Sequence, residues 1–313
     1  MSSPLSCDPR FAGISFSGTA LPRRHDLAAA GPSLLGRPPA IAAAHLPAPI
    51  EEPEVLETEE TAFLREVVAL AGLDPARYRM APLLRRLPSC LRTLRVASVQ
   101  DARQRLQADE HQVRVALGSL LIGTTAFFRD PAVFRHLELS VIPDLLKRHP
   151  KPRVWSAACS DGAELHSIAM LLADQGALAP GHLLGTDYRA RAIEAATDAS
   201  YPAEAAMGVP GHLAARFLVP EGNSVRVATA IRQALYWERR DVFENTGTLA
   251  PWDLILCRNL AIYLSPSAVE SLWKHLAASL APGGILVVGK AEKPRIARLQ
   301  RLAPCIYRHH PSP

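Results

Sequence analysis

The sequence predicts an α/β domain built on a mostly parallel sheet and preceded by a small all-helical domain. Three observations carry that reading. Beyond Pro152, short β-rich runs alternate with helically spaced apolar stretches, which is the grammar of a sheet buried on both faces. Between about Glu59 and Ile122 the apolar residues recur at helical spacing. Residues 1–57 hold nine of the 27 prolines among abundant Ala, Gly and Ser, with no persistent apolar period. Such a segment cannot bury enough surface to offset its ordering entropy, so it reads as a disordered tail.

The helical domain, 58–128, opens with a helix whose Phe63, Val67, Val68, Leu70 and Ala71 share one side and which ends near Gly72. A second helix is expected over Met80 to Leu87, ended or kinked by Pro88. Two more follow, from about Gln100 to Ala108 and from about Glu110 to Ile122.

The α/β domain, 129–313, carries its strands at RVWSAAC (153–159), HLLGTD (182–187), WDLILCRN (252–259) and ILVVG (285–289). Leu165, Ile168, Ala169 and Leu172 mark the helix after the first strand. Ser265-Pro266 is a good N-cap and N1 pair for a helix carrying Val269, Leu272, Trp273, Leu276 and Leu280. Pro282-Gly283-Gly284 reads as a turn, and His309-His310 as a tail.

Hydrophobic residues make up 48% and charged residues 21%, as in globular proteins. No run of about 18 apolar residues marks a membrane span. MSSPLSCDPRFAG lacks the apolar core of a secretory signal. Five scattered cysteines without CxxC spacing argue against a disulfide framework or a zinc site, and for a reducing cytoplasm. The 11 histidines form no metal constellation, so no metal is expected. A net charge of +5 suits nucleic acid, an acidic membrane surface or an acidic protein, or simply reflects an arginine-rich composition. Aromatics are only 6% and no basic stripe interleaves with them, so neither nucleic-acid binding nor membrane insertion is expected.

In open α/β sheets, ligands bind beyond the carboxyl ends of the strands. There the sequence places Cys159-Ser160-Asp161-Gly162-Ala163-Glu164, then Asp187, then Arg258-Asn259. An acid ending the second strand, about 25 residues after a Gly turn, can accept both hydroxyls of a ribose. It can equally be a solvated loop aspartate or a helix N-cap. The turn has one Gly and no GxGxxG, hence no phosphate cradle. A nucleoside without phosphates, such as S-adenosylmethionine, therefore fits better than a dinucleotide. Glu164 in the first turn of the next helix suits that helix's positive end, or a ligand's cationic groups. His166 reads as a packing or surface residue.

Taken together, TTAFFRD (124–130), VWSAACSDGAELHSIAM (154–170), GTD (185–187), ILCRNLAIYL (255–264) and PGGILVVGKAE (282–292) resemble the chemotaxis receptor methyltransferase family, CheR type. The similarity runs over about residues 60 to 309. The family transfers a methyl group from S-adenosylmethionine to glutamate side chains of chemoreceptors, leaving S-adenosyl-L-homocysteine. The resemblance implies a helical domain joined to a Rossmann-like catalytic domain with a small β-subdomain near 201–237. It implies that Thr125 and Arg129 reach the cofactor from the linker, that Glu164 faces its methionine end, and that Asp187 holds the ribose. Asp241-Val242 would bracket the adenine, and Arg258, Asn259 and Tyr263 would line the methyl-transfer end. Arg129 and Tyr263 are the expected catalytic residues, while Phe127 and Phe128 are packing residues.

The sequence departs from the family pattern at Gly123, where Asn is frequent. It departs again at Asp161, Ala163, Leu165 and His166 in the first strand's loop, and at Lys290 in GKAE. These departures leave a second reading open, a relative that binds cofactor or receptor with weak transfer or none. The implied partner is the cytoplasmic helical region of a chemoreceptor-type protein, met by a cytoplasmic monomer. Arg85, Arg92 and Arg95, at spacings of 7 and 3, would share one helical face towards it. In some relatives a Gly-containing loop of the β-subdomain grips a receptor tail peptide. The corresponding Pro220–Ser224 is short, so tight tethering is not expected.

Overall fold

The computed structural model describes residues 57–121, 123, 126–244 and 251–310. The tail and Thr125 lie outside the described residues, apart from Glu57.

Helix α1 (Glu59–Leu70) starts at a reciprocal cap, in which Thr61 N–H donates to Thr58 Oγ1 and Thr58 N–H to Thr61 Oγ1. It buries Phe63, Leu64, Val67 and Val68. Leu70, expected on that buried side, is 51% exposed, because it ends the helix and lines an open cleft instead. Helices α2 (Met80–Leu84) and α3 (Leu87–Leu94) replace the expected single helix. The break falls before Pro88, which sits in the first turn of α3, where a missing N–H leaves nothing unpaired. Arg85 therefore caps α2, Arg92 lies on α3, and Arg95 leaves it in a left-handed conformation, so the three do not share one helical face. Helices α4 (Val99–Ala108) and α5 (Glu110–Leu120) are capped by Ser98 and Asp109. All five helices enclose one apolar cluster that includes Phe63, Leu83, Cys90, Leu106 and Leu120.

A helical stretch absent from the sequence expectation follows: α6 (Pro131–His136), a π-helical turn (Leu137–Val141) and α7 (Ile142–Arg148). Then come β1 (Val154–Ala157), α8 (Ala163–Asp174), β2 (Leu183–Asp187) and α9 (Ala190–Asp198). A separate three-stranded sheet holds β3 (Ser200–Pro202), β4 (Leu218–Glu221) and β5 (Ser224–Val227), with α10 (Gly211–Phe217) between the first two strands. After α11 (Thr229–Arg232), β6 (Leu235–Arg239) pairs in parallel with β2 and so belongs to the main sheet. Strand β7 (Trp252–Cys257), α12 (Pro266–Ser279), β8 (Leu280–Val288), β9 (Leu299–Ala303) and β10 (Ile306–His309) complete the order.

The seven-stranded sheet runs β6-β2-β1-β7-β8-β10-β9, parallel from β6 to β8 and antiparallel beyond. β1, β2 and β7 are buried at every residue, as their continuous apolar runs require. Pro282–Gly284 do not form a separate turn. They bulge within β8, whose register jumps from Trp252↔Leu280 to Leu254↔Ile285, and Gly283 takes the left-handed conformation (φ 75) this needs. Helix α12 begins with Pro266 as expected, although Ser265 makes no capping bond. His309 is not a tail residue, because it is buried on β10 with Nδ1 at 3.2 Å from the Ala281 carbonyl. No helix among the described residues is long and apolar enough to cross a membrane.

Candidate active site

Strand order reverses between β1 and β7, the place where an open α/β sheet parts its loops and leaves a crevice. A cleft lies there. Its walls are Ala158 and Ser160 after β1, Asp187 ending β2, Asp241 and Val242 after β6, and Arg258 and Asn259 after β7. Arg129 from the linker, Tyr78 from the helical segment and Tyr263 also line it. Of the residues expected from sequence, seven thus share one cleft: Arg129, Asp187, Asp241, Val242, Arg258, Asn259 and Tyr263.

The rim is built from unusual backbone. Phe128, Asp130, Ala158, Ser160 and Asn259 all have positive φ, at 52 to 63°. For side-chain-bearing residues this costs about 1–2 kcal/mol each, so other bonds must fix it. Phe128 N–H donates to Ser167 Oγ at 3.0 Å, Cys159 N–H to the Thr186 carbonyl at 2.9 Å, and Ser160 N–H to Asp187 Oδ2 at 2.9 Å.

Glu292 fixes the loop after β7. Its buried carboxylate accepts from the N–H groups of Asn259, Ala261 and Gly289 at 3.0, 2.8 and 2.6 Å. Burial pushes its pKa up, against the lowering effect of those N–H groups and of Arg258.

Asp187 is 5% exposed and fully engaged. Oδ1 accepts from Arg189 N–H and Nε, both at 3.0 Å, while Oδ2 accepts from Ser160 N–H and Arg189 Nη2 at 2.9 and 3.1 Å. A carboxylate has about four acceptor positions, so Arg189 and Ser160 fill it.

Glu164 does not line the cleft. It stands behind Arg258, accepting from Ser156 Oγ and from Arg258 Nη1, both at 3.0 Å. Arg258 Nη2 meets Asp130 Oδ2 at 2.5 Å and the Arg129 carbonyl at 3.1 Å, and Lys290 Nζ reaches Asp130 Oδ1 at 2.5 Å. Desolvation would raise the Asp130 pKa, but the Lys290 bond and the Arg258, Lys290 and Arg129 charges outweigh it and hold it low. Asp241 is tied to Phe243 N–H at 3.1 Å and lies 3.7 Å from Arg77 Nη1. Phe127 and Phe128 are packing residues, 1% and 4% exposed.

A family model described as "CheR methyltransferase, SAM binding domain" matches residues 123–303, the linker and nearly all of the α/β part. The chain belongs to the CheR methyltransferase family. It is 27% identical over 239 residues to a chemotaxis protein methyltransferase of Listeria monocytogenes, covering 76% of this chain and 91% of that one. It is 29% identical to chemotaxis protein methyltransferase 2 of Pseudomonas aeruginosa, over 71% of this chain and 82% of that one. Among solved structures, the N-methyltransferase NodS of Bradyrhizobium japonicum with S-adenosyl-L-homocysteine aligns over 51% of this chain and 63% of that chain. There the identity is 18% and the TM-score 0.31, too loose to carry an argument.

This CheR-family chain is an S-adenosylmethionine-dependent methyltransferase. The cleft suits that cofactor. It offers an acid at the end of β2, the apolar side chains Leu73, Leu121 and Val242 for a flat base, and the Tyr78 ring. The one misfit is Arg189, already seated on the acid. Sequence reasoning gave no role to Ser160, Arg189, Asp130 or Glu292. Glu292 stood in a recognised string without a role, and Arg189 lay two residues past Asp187 with no local signal for where its guanidinium turns.

Proposed function

We propose that this methyltransferase esterifies glutamate side chains on the cytoplasmic helical region of a chemoreceptor-type protein, acting as a cytoplasmic monomer. The observation that carries this reading is the gathering of Arg129, Asn259 and Tyr263 in the same cleft as Asp187 and Val242. In this reading Asp187 holds the ribose and Asp241-Val242 bracket the adenine. Arg129 approaches from the linker, and Asn259 supports the methionine end. Glu164 and Arg258, bonded to each other, anchor the linker through Asp130 and the Arg129 carbonyl.

S-adenosylmethionine, when bound, supplies a methyl carbon on a positive sulfonium; a carboxylate oxygen bonds to that carbon as the carbon–sulfur bond breaks and its electron pair stays on sulfur. A glutamate with a pKa of about 4.3 is already ionised at neutral pH, so the protein need not remove a proton. Its task is orientation and exclusion of water, and orientation alone is worth roughly 7–11 kcal/mol at best. Arg129 orients the incoming carboxylate, and Tyr263 narrows the channel. The exposed Arg85, Arg92 and Arg95 give the helical segment a basic surface that suits an acidic receptor helix. The β4–β5 hairpin turns in two residues, Gly222-Asn223, too tight to be the longer loop that grips a tail peptide.

The test is transfer of labelled methyl from S-adenosylmethionine to purified receptor cytoplasmic domains. Base-labile label on the receptor is expected, and reduced label with Arg129→Ala or Tyr263→Phe. Wild-type rates in both variants count against the assigned roles. The second reading, a cofactor-binding relative without transfer, draws on the closure of Asp187 by Arg189. Cofactor binding with no label on any of several receptors would favour it.

A further inference from the structure

We propose that Arg189 is an internal competitor for the nucleoside site: its guanidinium occupies the Asp187 carboxylate, and the cofactor's ribose binds by displacing it. The inference rests on the reading of Asp187 as the ribose acceptor.

The geometry is that of a built latch. Arg189 Nε and Nη2 form a two-point clamp on the Asp187 carboxylate at 3.0 and 3.1 Å. Nη1 donates to the Leu121 carbonyl at 2.8 Å, and Nη2 also reaches Ser160 Oγ at 3.1 Å. Ser160 Oγ in turn donates to the Gly123 carbonyl at 2.8 Å. The clamp therefore ties the end of β2, the loop after β1 and the linker together across the cleft.

Gly123 is what lets the guanidinium lie there. A Cβ on this residue would stand 2.1 Å from Ser160 Oγ and 2.5 Å from Arg189 Nη2. A side chain at position 123 and the latched Arg189 exclude each other. The site carries two matched features: an arginine that reaches the acid, and a glycine that leaves it room.

A ribose diol and the guanidinium compete for the same acceptor positions on Asp187. Where the latched state predominates, apparent cofactor affinity falls by the fraction of molecules that are open. A two-point charge-assisted clamp is among the stronger side-chain contacts, so the latched state is the major one. Once displaced, the guanidinium is a free cation on a flexible stem, and its Leu121 and Ser160 contacts go with it.

The test is calorimetric titration of S-adenosyl-L-homocysteine into the full chain, wild type against Arg189→Ala, Asp187→Asn and the double variant. Arg189→Ala is expected to bind tighter by about ten-fold. Asp187→Asn is expected to bind more weakly, and the double variant to show none of the gain. Weaker or unchanged binding by Arg189→Ala, with Asp187→Asn weakened, overturns the latch and leaves the ribose reading standing. Unchanged binding by Asp187→Asn overturns the ribose reading, and the latch with it. If Arg189→Ala does not fold, Gly123→Ala serves: the added Cβ displaces the guanidinium while keeping its charge, and tighter binding is again expected, weaker binding again contradictory.

Discussion

Glu164 and Arg258, 94 residues apart, meet at 3.0 Å beneath the cleft with side-chain exposures of 13% and 3%. Arg258 also bonds Asp130 and the Arg129 carbonyl, and its Cζ lies 5.7 Å from the centre of the Phe134 ring. One guanidinium thus joins the start of α8, the linker and the end of β7. Arg258→Ala would leave the Glu164 carboxylate without its cation and Asp130 with Lys290 alone. Removing one partner of a buried pair costs about 3–5 kcal/mol, and a loss of that order is expected in urea unfolding, together with loss of transfer. Arg258→Lys should recover part of the stability and little of the activity, because a point charge cannot span both acids.

Glu292 makes a different kind of prediction, because its partners are backbone. Glu292→Ala strands the N–H groups of Asn259, Ala261 and Gly289, at about 1–3 kcal/mol for each buried group left unpaired. The loop it releases carries Asn259 and Tyr263. Transfer rates should therefore fall further than the melting temperature suggests. Glu292→Gln keeps one acceptor oxygen and should fall between wild type and Glu292→Ala in both measurements.

His166 gives the fold a pH limit. It is fully buried, with Nδ1 at 3.0 Å from Tyr201 Oη. Tyr201 gives its own proton to the Asp161 carbonyl, so His166 Nδ1 is the donor and Nε2, which has no partner among the described residues, stays unprotonated. Burial, with the Arg232 charge adding to it and a backbone bond opposing it, pushes the pKa down to about 3. The unfolded chain then takes up a proton at His166 before the folded one does. Its contribution is complete above about pH 6.5 and is lost as pH falls towards 3. Unfolding free energy should drop by about 2 kcal/mol between about pH 7.5 and about pH 5 from this group. A His166→Phe variant should show a flatter profile.

Trp237 fills a groove made by two glycines. A Cβ on Gly185 would stand 2.3 Å from Trp237 Cζ3, and one on Gly162 would stand 2.6 Å from its Cη2. The half-buried ring lies against β2 and the loop after β1. Gly185→Ala should cost about 1–3 kcal/mol as overpacking. In a Trp237→Leu background the same substitution should cost much less, and a double-mutant cycle by thermal or urea unfolding would read the difference.

The strands were legible because burial on both faces writes itself as continuous apolar runs: VWSA, LLGTD and WDLILC are each buried throughout. The helix over 131–148 was not, because its amphipathic pattern is broken by a π-turn and by Pro143 one residue into α7. The cleft's membership was legible residue by residue, yet the pairings inside it were not. Glu164 and Asp187 announce carboxylates at strand ends; nothing local says that Arg258 and Arg189 will occupy them. Those partners come from long-range folding or from a rotamer choice, and neither leaves a spacing in the sequence.

Methyl esterification of receptor glutamates is read out by mass spectrometry of a receptor cytoplasmic domain after incubation with this protein and S-adenosylmethionine. A methyl ester is expected on a glutamate-containing helical peptide, lost on brief treatment with base and absent when S-adenosylmethionine is omitted. A base-stable methyl group on another side chain, or no methyl group on any receptor domain despite measurable cofactor binding, would contradict it.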